Sequence, residues 1–314
     1  VTAKKLSIKH LVGLEGVPAQ DIHLFLDTAE SFREVLERPI KRVPTLTGVT
    51  VLNFFYEPST RTRTSFELAE KRLSADIINF STITSSVSKG ETLKDTIRNI
   101  ESMKVDMIVI RHKHAGAAAY MTQVTDAIVL NAGDGAHEHP TQGLLDMLTI
   151  RQHTKKPWKD LRVVMVGDMR HSRVIRSDIW GLKAVGASVA ICGPPSLIPY
   201  GVEAFGVDVY HDLDEALKDA NVVNVMRIQL ERQEGGLFPS LREYNRLFGL
   251  TRERLKRARP DLVVMHPGPM NRGVEIDTEV ADGPQSVILR QVTNGVAVRM
   301  ACLLLLAPQK NQSN

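Results

Sequence analysis

Donors for an anion crowd one short stretch of this 314-residue chain, Phe54-Phe55-Tyr56-Glu57-Pro58-Ser59-Thr60-Arg61-Thr62-Arg63-Thr64. The apolar run from Val49 to Phe55 reads as a buried parallel strand. Pro58 ends it, Ser59 stands where a helix N-cap would, and Phe66, Ala69 and Leu73 mark one apolar face of the helix that follows. A helix N-terminus already offers unpaired N–H groups and the positive end of its dipole. The hydroxyls of Ser59, Thr60 and Thr62 and the guanidinium of Arg61 add the geometry a phosphate group needs. A capped helix with surface arginines is the plainer alternative. The density of donors at a single strand–helix turn favours a phosphate cradle.

Other residues able to do chemistry recur at strand ends: Arg111, His139 with Gln142, Arg173, Arg227 with Gln229, and His266-Pro267-Gly268-Pro269. Ligands of open parallel sheets bind beyond the carboxyl ends of the strands, so this coincidence carries more weight than any single residue. Taken alone, Arg111 reads equally well as an ion-pair partner, and His139 as a helix cap or a core histidine. His112-x-His114 and His137-x-His139 have spacings seen in metal sites, but no further set at later strand ends completes a shell, and no metal is expected. Val166-Gly167-Asp168-Met169-Arg170-His171-Ser172 lacks the G-x-G-x-x-G turn, so no dinucleotide cofactor is expected either.

The elements that must position these groups alternate. An amphipathic helix over 18–37 carries Ile22, Phe25, Leu26, Ala29 and Phe32 on one face. Strands are predicted at 49–55, 77–80, 105–110 and 127–130, then at 161–166, 188–192, 207–210, 222–226 and 262–265. Helices are predicted from Ser59, from Thr92 (with Asp95 as its capping partner) to about Met103, after His139-Pro140, from Ser172, and from Pro284 to Leu306. Between them, Ser81 to Gly90 is a hydroxyl-rich loop, and Lys155-Lys156-Pro157 marks a junction. Alternation of this kind gives an α/β protein of two domains, each a parallel sheet with helices on both faces.

Composition narrows the functional classes. The net charge of +4 and pI of 9.0 come from scattered basic residues, and aromatics make up only 5%, so neither a basic run nor a stacking platform for nucleic acid emerges. Small anionic substrates explain the charge as well. The longest apolar segment, near Val296 to Ala307, is interrupted by Arg299 and reads as too short to span a bilayer. The first ten residues lack a signal-type apolar core, and Cys192 and Cys302 lie in apolar settings without ligand spacing. A cytoplasmic protein without disulfides is expected.

The motifs together (FFYEPSTRTR at 54–63, KGET at 89–92, Arg111-His112, NAGDGAHEHPTQ at 131–142, MVGDMRHSR at 165–173, Arg227-Ile228-Gln229 and HPGP at 266–269) resemble the catalytic chains of aspartate carbamoyltransferases over nearly the whole length. The resemblance implies a carbamoyl phosphate-binding domain of residues 1–140 plus 288–314 and an aspartate-binding domain of 141–287, linked by two crossing helices. It implies that Ser59, Thr60, Arg61, Thr62 and Arg111 hold the phosphate, and that Thr62, Arg111 and His139 point at the carbamoyl oxygen. Gln142 and the backbone carbonyls of Pro267 and Gly268 would accept from the carbamoyl NH2. Lys89, Arg173, Arg227 and Gln229 would bind the two carboxylates of aspartate. Charge supports that choice independently, because a pocket of Lys89, Arg173 and Arg227 repels the cationic side chain of ornithine. It further implies a homotrimer with shared sites, in which Ser85 (or its neighbour Ser86) and Lys89 serve the adjacent subunit, and it needs neither metal nor cofactor. Gly268 replaces a leucine common in the family and points to the branch that associates with dihydroorotase or dihydroorotase-like chains.

Overall fold

The computed structural model describes residues 5–81, 92–229 and 239–308. They divide into two units, Val1–Leu144 with Asn294–Asn314, and Leu145–Thr293.

The first unit contains, in chain order, α1 (Ala19–Glu37), β1 (Thr50–Phe55), α2 (Thr60–Leu73), β2 (Asp76–Ser81), α3 (Leu93–Glu101), β3 (Met107–His112), α4 (Ala117–Met121) and β4 (Ile128–Asp134). Its four strands are parallel and lie in the order β2-β1-β3-β4. β1 pairs with β3 from Val51↔Met107 to Phe55↔Arg111. The two central strands are almost continuously apolar because helices cover the sheet, and Leu52, Phe54, Ile108, Ile110 and Val129 are buried in one cluster with Ile97, Ala118 and Met121. Among their buried residues the exception is Asn53 in β1, whose Nδ2 donates to Glu70 Oε2 of α2 at 2.8 Å, both groups being buried. Thr92 caps α3 as expected, accepting from Asp95 N at 3.2 Å.

The chain leaves this unit within α5 (Pro140–Thr154), between Leu144 and Leu145. The second unit continues with β5 (Arg162–Val166), α6 (Arg173–Ala184), β6 (Ser188–Cys192), β7 (Asp208–Tyr210), α7 (Leu213–Leu217), β8 (Val222–Val225), α8 (Leu241–Phe248), α9 (Arg252–Arg257), β9 (Val263–Met265), α10 (Thr278–Ala281) and α11 (Ile288–Leu306). Its five parallel strands run in the order β7-β6-β5-β8-β9. Val164, Val166, Ala190, Val223, Val225 and Val264 supply the core beside Leu213, Leu217, Tyr244 and Phe248. The return to the first unit falls within α11, between Thr293 and Asn294. Both divisions lie four to six residues inside the helices at whose starts the expected boundaries were drawn.

Two sequence expectations differ in detail. Helices α4, α7, α8, α9 and α10 carry no expectation, since four to eight residues give too few turns to register a period. And α11 is 19 residues long with a mean hydropathy of 1.3, sufficient by length and composition to cross a membrane. Its apolarity has another source: Ala297, Val298, Met300, Ala301, Cys302 and Leu303 are all buried in the protein.

Candidate active site

Strand order explains why the polar residues gather where they do. From β1 the chain moves outward to β2, then crosses back to place β3 on the other side of β1. The crevice at such a reversal, beyond the carboxyl ends of the two strands, is where open α/β sheets bind ligands. Ser59–Thr62 follow β1 and Arg111 ends the pairing of β3 with β1, so both flank this point. Ser59 takes the N-cap position of α2 with extended backbone (φ −159°, ψ 97°), but its side chain makes no capping hydrogen bond. The first turn of α2 therefore keeps its N–H groups directed at whatever lies beyond the strand end. Thr62 is buried and Arg61 exposed.

Arg111 is held in a fixed plane. Its Nη2 donates to Glu57 Oε1 at 3.0 Å, and its Nη1 to the Ala132 carbonyl at 3.1 Å. The ion-pair reading of Arg111 is thus met in the structure: Glu57, on the turn after β1, orients the guanidinium. No sequence period could have singled out Glu57. His139 is buried just before α5, and its carbonyl accepts from Gln142 N at 2.9 Å. The segment ahead of it is braced by Glu138, whose buried carboxylate accepts from Leu14 N (2.7 Å) and Glu15 N (3.2 Å). Asn131 Nδ2 donates to the Glu138 carbonyl at 3.2 Å.

The histidine pairs resolve differently. His112 Nδ1 accepts from His114 N at 3.1 Å, and burial together with the neighbouring His114 and Lys113 lowers the pKa of its imidazole. Near the second pair, Glu15, His137 and Glu138 bring ligand atoms within 4.8 Å of one another. The Glu138 oxygens there already serve the two backbone N–H groups, and His137 Nδ1 lies 3.2 Å from Asp134 Oδ1.

In the second unit the reversal falls between β5 and β8, because β6 and β7 extend the other way. Gly167 follows β5 at φ +128°, and a Cβ there would sit 2.7 Å from the Met226 carbonyl oxygen, so only glycine permits this approach of the two strand ends. Asp168, fully buried, accepts from His171 N at 3.1 Å and pairs with His171 Nδ1 at 2.9 Å, which fixes the turn into α6. Arg173 is the first residue of α6 and is buried, a costly position for a cation unless an anion or polar partner meets it. Arg227 and Gln229 follow β8, and Gln229 Nε2 donates to the His171 carbonyl at 3.1 Å, tying the two turns together. Beyond β9, His266-Pro267-Gly268 continues the row. Gly268 has φ +67°, a left-handed backbone that glycine adopts without strain. Lys89, Ser85 and Ser86 lie outside the described residues.

Each sheet, then, carries arginines and helix N-termini at its reversal point: the class is an α/β protein built to hold small anions. Comparison with known proteins narrows it. Residues 9–152 match the family model for the aspartate/ornithine carbamoyltransferase carbamoyl-P binding domain, and residues 159–306 match its Asp/Orn binding domain. The chain is 59% identical to the aspartate carbamoyltransferase catalytic subunit of Gemmatimonas aurantiaca, covering 96% of this chain and 94% of that one. It is 58% identical to the same subunit of Syntrophotalea carbinolica over 95% of each. The structure of aspartate transcarbamoylase from Trypanosoma cruzi in complex with carbamoyl phosphate and aspartate superposes with a TM-score of 0.85 at 30% identity, covering 96% of this chain and 97% of that one. Its complex with N-(phosphonacetyl)-L-aspartic acid gives 0.85 at 30% identity over 98% of both. The chain belongs to the aspartate/ornithine carbamoyltransferase family.

Proposed function

We propose that this chain transfers the carbamoyl group of carbamoyl phosphate to the amine of L-aspartate, giving N-carbamoyl-L-aspartate and phosphate, a step of pyrimidine synthesis. One observation carries the reading: arginines placed at the reversal point of each parallel sheet, Arg111 after the pairing of β1 with β3 and Arg173 with Arg227 in the second unit. In this reading the Ser59–Thr62 turn and Arg111 hold the phosphate. Thr62, Arg111 and His139 donate to the carbonyl oxygen, while Gln142 and the carbonyls of Pro267 and Gly268 accept from the carbamoyl NH2. Arg173, Arg227, Gln229 and Lys89 hold the carboxylates of aspartate.

The amine lone pair attacks the carbonyl carbon, the carbonyl electrons move onto oxygen, and the tetrahedral intermediate collapses with departure of phosphate and loss of one amine proton. Donors placed for the oxyanion strengthen as its charge grows, and fixing both reactants removes the entropy of their encounter. Three cations around the amino-acid substrate favour a second carboxylate over an ammonium side chain, so aspartate is taken and ornithine refused. The reading extends to a cytoplasmic homotrimer in which Ser85 and Lys89 serve a neighbouring copy, and to association with dihydroorotase-like chains. Purified protein supplied with carbamoyl phosphate should form carbamoyl-aspartate from aspartate and no citrulline from ornithine. Citrulline alone, or neither product, would overturn the assignment.

A further inference from the structure

One buried carboxylate joins the two loops that the proposed function gives to different substrates. Glu275 is fully buried. Its Oε1 lies 3.1 Å from His266 Nε2 and accepts from Asn271 N at 2.5 Å. On the other edge of the ring, His266 Nδ1 accepts from Gly268 N at 2.8 Å. A backbone N–H can only donate, so Nδ1 carries a lone pair and the ring proton sits on Nε2, directed at Glu275. The carboxylate thereby fixes tautomer and ring orientation, and the ring fixes the Pro267–Gly268 turn. In the other direction, Asn271 Nδ2 donates to the Ile228 carbonyl at 3.1 Å. Ile228 is buried between Arg227 and Gln229, so its peptide sets where those two side chains begin.

The backbone of His266 is held from a third side. Its N donates to Gln291 Oε1 at 2.9 Å, and Gln291 Nε2 donates to Asp146 Oδ1 at 2.7 Å. Burial and the adjoining Asp146 raise the pKa of Asp178, and Asn224 Nδ2 reaches both carboxyls at 3.3 and 3.1 Å. The start of the loop after β9 is therefore held by buried polar groups, while farther along Arg272 pairs with Asp282 at the surface.

We infer that Glu275 and Asn271 are positioning residues that couple the carbamoyl-accepting carbonyls of Pro267 and Gly268 to the aspartate-binding pair Arg227 and Gln229. Neither needs to touch a substrate. The inference rests on the proposed function for the identity of the two substrates, while the hydrogen-bonded connection between the loops does not.

The test is steady-state kinetics of the full chain carrying Asn271→Ala, Glu275→Ala or both. Asn271→Ala, which cuts only the arm to Ile228, should raise KM for aspartate roughly three- to tenfold, the range expected from losing one neutral hydrogen bond. Its KM for carbamoyl phosphate and its kcat should stay within about twofold, because a misplaced binding loop weakens ground and transition states alike. Glu275→Ala should raise both KM values, and adding Asn271→Ala to it should raise the aspartate KM little further. An aspartate KM unchanged in Asn271→Ala, or a fall in kcat with both KM values intact, overturns the coupling. Should Glu275→Ala fail to fold, Asn271→Ala decides alone. A crystal structure of Asn271→Ala gives a readout independent of turnover: an unmoved Ile228 carbonyl overturns the inference, whereas wild-type protein without turnover overturns the assigned reaction instead.

Discussion

Glu70→Gln should stabilise the protein at alkaline pH and flatten its response to pH. Glu70 sits on the inner face of α2 with no solvent exposure, and among the described residues its Oε1 has no hydrogen-bond partner. Burial pushes the carboxyl up to about 8 from an ordinary 4.5, outweighing the hydrogen bond from Asn53. The folded chain therefore keeps a proton that the unfolded chain releases above about 4.5. Stability contributed by the neutral form is complete below that value and is lost as pH rises through about 8. The slope is about 1.4 kcal/mol per pH unit, so the wild type should lose ~3 kcal/mol between about pH 6 and about pH 8.5, nearly all of it below pH 8. Glutamine has the same shape, offers the same acceptor to Asn53 Nδ2, and does not titrate. Urea unfolding of both proteins at the two pH values reads the difference directly, as a gap between them that changes by roughly 3 kcal/mol. Parallel pH dependences would refute the reasoning, for Glu70 would then be ionised in the fold. The site is implicated too, since the helix that Glu70 fastens to β1 begins with the Ser59–Thr62 turn.

Three further outcomes are expected. His139→Ala should lower kcat by about 100- to 1,000-fold with much smaller changes in substrate binding, the pattern of a lost oxyanion donor; an unchanged kcat removes that role. Arg61→Ala should abolish carbamoyl phosphate binding and turnover together, and mixing it with an inactive Lys89→Gln chain should restore part of the activity if sites are shared between copies. Verified mixed oligomers without recovery count against sharing. Cys192 and Cys302, both buried with their thiols pushed up to about 12 by burial, should resist a thiol reagent at neutral pH and react only on unfolding; prompt labelling of the native protein would contradict this.

The signals local in the chain were legible early. β1, the turn after it and the start of α2 follow from an apolar run, a proline and an N-cap serine in sequence, and the structure places them at Thr50–Phe55 and Thr60–Leu73. Glu70 left a trace as well. It lies on the same helical face as Phe66 and Leu73, where a carboxylate is out of place, and Asn53 interrupts an apolar strand in the same way. Those two anomalies together are a sequence-level sign of a buried polar pair.

Residue types alone determined that this chain would stack parallel strands under helices and crowd anion donors at strand ends, because hydrophobic period and turn chemistry act over a few neighbouring residues. Strand order they left open: nothing local reveals that β3 lies beside β1, or β8 beside β5, and only that order brings Arg111 to the Ser59 turn and Arg227 to the Asp168 turn. Hydrogen bonds such as Arg111 to Glu57, 54 residues apart, or Gln291 to Asp146, 145 apart, belong to the tertiary structure for the same reason. A side chain's partner across such a separation is chosen by how the sheets assemble, and a linear pattern holds no record of that choice.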